Sequence, residues 1–493
     1  MLPLNAETVS QLLADLPVPT YDRGKLRTGI VHFGMGGFHR AHQAMYLDRL
    51  MTEGKALDWA ICGVGVMPAD RRMQQVLDAQ DGLYTLVIKD PDGTYDARVI
   101  GSIKEYLFAP EDPGAVIEKM TSPEIRIVSL TVTEGGYNFN AVTGDFMADN
   151  TDIQHDLSLP NRPRTVFGLI TAAIERRRER ALPPFTIMSC DNIQGNGDAA
   201  RRSFVAFAKL RDPSLGAYVE EHVRFPNSMV DRITPVTTDD DRDEVRKHFG
   251  VDDGWPVVCE PFTQWALEDS FSDGRPAWEE VGVQMVPDVE PYELMKLRLL
   301  NAAHQALCYF GHLAGYRLVH DVARDPVFAK FLLTYMEREA EPTLEPVPGI
   351  DLKEYQHKLI ERFSNAQVKD TVARLCAESS DRIPKWLLPV IRQNLATGGE
   401  ILLSTAVVAS WARYDEGVDE QGEPIEIVDR LRDDLHALAL RQRDNPTAFI
   451  ENRDLFGELV DDERFVSAYT SVLGSLHTRG ARATLEALVS GGF

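Results

Sequence analysis

Basic charge is in short supply. The 52 lysines and arginines stand against 76 aspartates and glutamates, leaving a net charge of -24 at pH 7. A field of that sign repels phosphate backbones and anionic lipid, so neither nucleic acid nor a membrane surface is an expected partner. Cysteine is also scarce. Cys62, Cys190, Cys259, Cys308 and Cys376 are scattered, with no CxxC pair. That usage suits a reducing compartment, where cysteines act as small hydrophobes, and a cytoplasmic location is expected. The longest near-apolar run, "ILLSTAVVASWA", falls well short of the roughly 20 residues a membrane span needs. The first residues lack a basic region followed by an apolar stretch, so no secretory signal is expected. Metal-ligand spacing is missing as well. His39 and His42 sit in one helical pattern and His304, His312 and His320 recur more widely, but none forms an HxxxH unit. The acidic run "TTDDDRDE" lacks the glycine and spaced ligands of a calcium loop and reads as a solvated loop.

What is present is length and alternation. A chain of 493 residues exceeds one ordinary core, which predicts two large domains. "GIVHFGMGGFHRAHQAMYLDRLM" reads as strand, glycine turn and amphipathic helix, and "WAICGVGV" as a second strand. "LYTLVIKDPDGTYDARVIGS" reads as a hairpin, because Asp90, Pro91, Asp92 and Gly93 supply turn chemistry between two alternating runs. "IRIVSLTVTEGG" and "PFTIMSCDN" are further strands ending in polar residues or glycine. Strands separated by helices imply a mainly parallel sheet with helices on both faces. Beyond about Pro291 the strand signal fades and helical periodicity takes over. The expected fold is α/β: a Rossmann-like dinucleotide-binding domain over 1–285, then a mostly helical substrate and catalytic domain over 286–493.

The first glycine turn carries the nucleotide signal. Gly34, Gly36 and Gly37, followed by Phe38, stand between a strand and a helix. Glycines there let the backbone turn tightly and approach a pyrophosphate. His39 occupies the place of the third fingerprint glycine, and the same residues would also serve a plain strand-to-helix turn. After the second strand, Asp70 is placed to accept hydrogen bonds from an adenosine ribose, which favours NAD over NADP. It would equally suit an acid opening the "DRRMQQVL" helix, and Arg71 and Arg72 follow directly.

"KLRLLNAAHQAL", residues 296–307, sets polar groups in an apolar helix. On an α-helix Lys296, Asn301 and His304 fall within an arc of about 140°. A lysine facing a dry pocket loses hydration, which favours its neutral form and lets it take a proton from an alcohol. Asn301 is placed to donate to the developing alkoxide, and His304 to orient either partner. Ordinary core packing accounts for the same spacing. "SCDN" places Asp191 and Asn192, and "TEGGY" places Glu134, at strand ends where open α/β sheets bind ligands; both segments also suit helix-capping turns.

Taken together, "GGFHRAHQA", "TEGGY", "SCDN", "MVDRITP", "CEPF", "PYELMKLRLLN" and "RFSN" resemble the mannitol dehydrogenase family of polyol-specific long-chain dehydrogenases. The resemblance runs from about residue 25 to the C-terminus. It implies a metal-independent enzyme passing hydride between a polyol carbon and NAD, with NADP a weaker cofactor, acting as a monomer on a small polyol or ketose. On matching positions it implies Lys296 as general base, Asn192 and Asn301 as the oxyanion site and His304 as a substrate or lysine contact. Glu293 matches a proton relay, and Asp231, Arg374 and Arg382 match substrate-contacting positions. Among members of the family, mannitol oxidation to fructose is the expected reaction; fructuronate or tagaturonate reduction and D-arabinitol oxidation are the alternatives. Three positions depart from the pattern: Arg382 replaces a lysine, Ala302 a glycine, and Ala69 an acid beside Asp70.

Overall fold

A computed structural model describes residues 1–12, 16–139 and 144–493. The chain divides into two compact units, Met1–Glu290 and Pro291–Phe493.

The first unit is built on five parallel strands: β1 (Thr28–Phe33), β2 (Ala60–Gly65), β5 (Ile103–Phe108), β6 (Ile127–Leu130) and β7 (Thr186–Ser189). Their spatial order is β5-β2-β1-β6-β7. The order reverses between β1 and β6, and open α/β sheets bind ligands outside the carboxyl ends of the strands at such a switch point. Every residue of β1 is buried, as expected of a strand covered on both faces. Val31 and Phe33 enter one core with helices α4 (Pro113–Thr121), α5 (Val166–Glu179) and α6 (Asn196–Arg211). Ile30 enters the other, with Met45, Leu47 and Leu50.

Between β2 and β5 lie helix α3 (Arg71–Ala79) and the hairpin β3 (Tyr84–Lys89) and β4 (Tyr95–Ile100), paired antiparallel. Its turn closes where Gly93, at φ 88°, donates its N–H to the Asp90 carbonyl. A second small sheet joins β8 (Ser228–Asp231) to β10 (Gln264–Glu268) and β11 (Gln284–Val286), while β9 (Val257–Cys259) extends the hairpin.

Two expectations are corrected in this unit. The helix after the glycine turn is not one amphipathic rod: α1 (Gly37–Ala41) breaks at His42, and α2 (Gln43–Thr52) then runs almost wholly buried. Trp265 and Trp278 share its core, so the face the pattern leaves for water is covered by chain some 220 residues later. The acidic run is not a solvated loop. Thr238 caps helix α7 (Asp239–Phe249), and Asp239, Asp240 and Asp241 fill its first turn, where the helix dipole favours negative charge. Asp241 and Glu244 of that helix hold the buried Lys89 ammonium at 2.9 and 2.6 Å.

The second unit is helical. One long helix opens it in three parts: α8 (Glu290–Met295), a wide π-turn segment (Lys296–Asn301) and α9 (Ala302–Leu313). Every residue of α9 is buried, His304, Gln305 and His312 included. Helices α10 (Pro326–Tyr335), α12 (Val372–Cys376), α14 (Leu402–Tyr414) and α15 (Glu463–Ser490) pack around it. Helices α11 (Leu352–Phe363) and α13 (Ser379–Trp386) belong to the same unit. Among the described residues, no helix is long and apolar enough to cross a membrane.

Candidate active site

The glycine turn after β1 is tight on one side and open on the other. Gly34 sits at φ 90°, and a Cβ there would fall 2.0 Å from the Thr131 carbonyl oxygen, so no other residue fits. The Gly36 N–H folds back onto the Gly34 carbonyl at 2.7 Å. At Gly36 a Cβ would meet nothing nearer than 3.9 Å, which leaves the outer side of the turn open for a phosphate to approach the backbone. Phe38 packs its ring against His42, 4.7 Å between centroids.

His39, in the place of the third glycine, has a packing role. Its ring stacks on His32 of β1 at 3.4 Å, both fully buried, so helix and strand meet through imidazoles rather than through close backbone approach. His32 Nδ1 meets Ser129 Oγ at 2.8 Å and Nε2 meets Thr131 Oγ1 at 3.0 Å. Burial pushes His32 down to about 3 and lowers His39 further from the ordinary histidine range, so both rings are neutral.

Asp70 turns its carboxylate back on the strand it follows: Oδ2 accepts from the N–H groups of Val66 and Met67, both at 2.9 Å. It makes no side-chain cap to α3. The carboxylate therefore sets the turn leaving β2, where the ribose edge of a Rossmann site lies. Arg71 bonds Glu111 at 2.6 Å and Gln74 at 2.9 Å and stacks on Phe108, while Arg72 lies over Trp255.

At the ends of β6 and β7 the organising group is Asp191, which is buried. Its carboxylate accepts from Thr133 N–H at 2.7 Å, Val132 N–H at 3.1 Å and the Tyr137 hydroxyl at 2.7 Å. Burial raises its pKa, while those three donors pull the other way by stabilising the charged form. Thr133 is held at φ 67° and ψ 169°, a costly backbone for a β-branched residue. Asn196 adds a second clamp, donating to the Asp191 carbonyl at 2.9 Å and to the Ser228 carbonyl at 2.7 Å. Together these bonds fix the chain on either side of Asn192 and Glu134 and tie it to β8, which ends at the buried Asp231. Tyr137, whose hydroxyl also meets Ser189 Oγ at 2.5 Å, and Asn196 were not singled out from the sequence, although Tyr137 closes "TEGGY" and Ser189 opens "SCDN".

In the second unit Lys296 is 8% exposed, Asn301 5% and His304 8%, with Glu293 buried one turn earlier. The α-helical arc of about 140° is corrected here. Ala302 donates its N–H to the carbonyls of Leu297, five residues back, and Leu299, which widens the turn. Such a turn takes about 4.4 residues per revolution, so five residues overshoot by roughly 50° and Lys296 and Asn301 come much nearer one face. His304 follows Asn301 by one α-turn and packs its ring 4.3 Å from Phe363. The Asn301 Nδ2 has no hydrogen-bond partner among the described residues, a buried donor with its valence open.

The two arginines are engaged. Arg374, on α12, holds Asp370 through Nε at 2.6 Å and Nη2 at 2.5 Å, with its side chain 54% exposed. Arg382, on α13, donates to the carbonyls of Arg374 and Leu375 and lies over Trp386. Its fork thus braces the α12 backbone, a contact that a lysine ammonium would make differently. Among the described residues, no group of three or more His, Cys, Asp or Glu side chains is placed to hold a metal ion.

Comparison with known proteins agrees over both units. Residues 28–280 match the mannitol dehydrogenase Rossmann domain and residues 288–477 the mannitol dehydrogenase C-terminal domain. The chain belongs to the mannitol dehydrogenase family. It is 46% identical to a mannitol 2-dehydrogenase of Phaeosphaeria nodorum, across 98% of this chain and 85% of that one. It is also 46% identical to mannitol dehydrogenase 2 of Saccharomyces cerevisiae, across 99% and 97%. Among solved structures, Pseudomonas fluorescens mannitol 2-dehydrogenase in a ternary complex with NAD and D-mannitol superposes with a TM-score of 0.90 at 45% identity, covering 99% of this chain and 100% of that one. A substrate-free D-sorbitol dehydrogenase gives 0.91 at 36% identity, over 98% and 100%.

Proposed function

We propose that this protein is an NAD-dependent polyol dehydrogenase interconverting D-mannitol and D-fructose, with Lys296 as its general base. The observation that carries the chemistry is the stripe of Lys296 and Asn301 on one face of a buried helix, where the amide nitrogen has an open valence. The relatives named as mannitol dehydrogenases support the substrate, and the complex with NAD and D-mannitol supports the cofactor. The first unit is assigned to the dinucleotide and the second to catalysis.

Bound NAD would supply the hydride acceptor. The chain's residues do the rest. The open side of the Gly34–Gly37 turn receives the pyrophosphate, and Asp70 takes the ribose edge, where its charge disfavours a 2′-phosphate. Arg71 is restrained by Glu111, which limits its use as a 2′-phosphate ligand. In alcohol oxidation Lys296 Nζ accepts the hydroxyl proton as the carbon gives up its hydride; in ketose reduction the same ammonium returns it. Desolvation favours a neutral amine, the form the oxidation direction needs. Asn301 Nδ2 donates to the oxygen as charge develops, which acts in the transition state more than in the ground state. Asn192 is assigned as the second amide donor, His304 as a hydroxyl contact and Glu293 as the group passing the proton on. Asp231, Arg374 and Arg382 are assigned to substrate hydroxyls. The ion pair with Asp370 leaves Arg374 poorly suited to clamp a carboxylate, which supports a neutral polyol over a sugar acid. A monomer in the cytoplasm completes the reading, supported by five free, buried cysteines and by the family pattern.

A steady-state panel tests it: D-mannitol, D-arabinitol and D-sorbitol with NAD and NADP, and fructose, fructuronate and tagaturonate with NADH. The highest kcat/KM is expected for mannitol with NAD and for fructose with NADH. A higher kcat/KM for fructuronate or arabinitol overturns the substrate assignment.

A further inference from the structure

The wide turn that aligns Lys296 with Asn301 is not self-supporting. In an α-helix the Ala302 N–H would bond the Arg298 carbonyl, four residues back. Here it passes over Arg298 to Leu297 and Leu299. The Arg298 carbonyl accepts instead from the Tyr335 hydroxyl at 3.1 Å. Tyr335 is fully buried, and burial raises its pKa, so it stays a donor at every physiological pH. The Arg298 side chain is fastened too, donating to the Thr343 carbonyl at 2.5 Å and to Gln393 Oε1 at 2.9 Å. Tyr335 itself ends α10 and leads into a second π-turn segment, Met336–Ala340, which packs against the first. That second segment is locked by the buried Glu339, whose carboxylate accepts from the N–H groups of Leu403 and Ser404 at 2.6 and 2.7 Å. Wide turns interrupting an α-helix are uncommon and concentrate at functional sites. The two here brace each other.

We infer that Tyr335 is a positioning residue: its hydroxyl holds the 296–301 turn open through the Arg298 carbonyl and so keeps Lys296 and Asn301 on one face. This rests on the reading of Lys296 as the base. Without the hydroxyl the carbonyl loses this donor, the Ala302 N–H can take its place only if the turn tightens, and tightening carries Lys296 away from Asn301 by roughly a quarter of a revolution. Small misplacements of reacting groups are costly to rate and cheap to binding.

The test is Tyr335→Phe, which removes one oxygen and keeps the ring. The expected result is a fall of about tenfold or more in kcat for mannitol oxidation, with the KM for mannitol within about twofold. The acid limb of the kcat profile should shift, and the amides of residues 297–302 should exchange faster with solvent deuterium. A merely structural role would lower the melting temperature and leave the pH profile in place. Wild-type kcat, pH profile and exchange in Tyr335→Phe overturn the inference. If Tyr335→Phe does not fold, Gln393→Ala carries the test by loosening Arg298. It should lower kcat about two- to threefold at constant KM, and no change overturns the inference. Lys296→Ala distinguishes the two readings. If it retains near-normal turnover, the base assignment falls. If it is inactive while Tyr335→Phe behaves as wild type, only the role of Tyr335 falls.

Discussion

The two units place their candidate functional groups on backbone irregularities of opposite kinds. In the first, strand ends are bent by residues at positive φ: Gly34 at 90° and Thr133 at 67°. In the second, a helix is loosened by an over-wide turn at Lys296–Asn301. The Thr133 bend and the wide helical turn each have a buried side chain as fastener, the Asp191 carboxylate for one and the Tyr335 hydroxyl for the other. The polarity of the fasteners differs for a physical reason. Bent strand ends leave N–H groups facing inward, which call for an acceptor. A widened helix shifts a carbonyl off its α-helical donor, and a side-chain donor can meet it.

The largest expected effect breaks the comparison on the helical side. Lys296→Ala should lose about three or more orders of magnitude in turnover while NADH binding, followed by fluorescence titration, survives; near-normal mannitol oxidation would sink the assignment. Next comes the strand-end fastener. In Asp191→Asn the amide presents donors to donors, and kcat should fall about 10- to 100-fold with a lower melting temperature. If only the melting temperature moves, Asp191 supports the fold and not Asn192. Asp70→Ala should raise the NADP-to-NAD ratio of kcat/KM by about tenfold, and an unchanged ratio would show that Asp70 does not read the ribose.

The smallest effect concerns pH. The His32 pKa of about 3 lies below the ordinary 6.5, so the unfolded chain binds the proton first as acid is added. Stability from this group is full above pH 6.5 and is lost progressively between there and about 3. His39→Phe keeps the stack and removes one titrating ring, so its melting temperature should fall less steeply with acid. A slope equal to wild type would show that His39 takes no part.

Much of this was legible in the residues. Gly34, Gly36 and Gly37 after an apolar run marked the switch-point turn, and Asp90 to Gly93 marked the hairpin, because both depend on local backbone chemistry. The polar residues of "KLRLLNAAHQAL" stood out against their neighbours. The wide turn did not, since Leu297, Leu299, Leu300, Ala302 and Ala303 are all buried and apolar residues on every side of a helix carry no phase. Asp191 was visible as a strand-end acid, but its service to Thr133 and Tyr137 depends on two strands meeting. The burial of α2 likewise depends on Trp265 and Trp278, far along the chain. The acidic run misled because a charge cluster and a helix N-terminus share one composition, and only Thr238 separates them.

Arg232 bears on how such a protein can be re-engineered. It follows Asp231 directly, and its Nη1 donates to the Ala41 carbonyl at 2.7 Å, where α1 ends after the glycine turn. Its Nε and Nη2 both grip the Glu260 carbonyl, and Glu260 in turn takes the Ile233 N–H at 2.6 Å. The glycine turn, proposed to hold the cofactor, and Asp231 are therefore not separable modules. A graft that replaces the turn to change nucleotide preference would tug on the strand carrying Asp231, and one that retunes that strand would unsettle the turn. Selection on either trait in a laboratory lineage should recruit compensating changes around residues 41, 232 and 260.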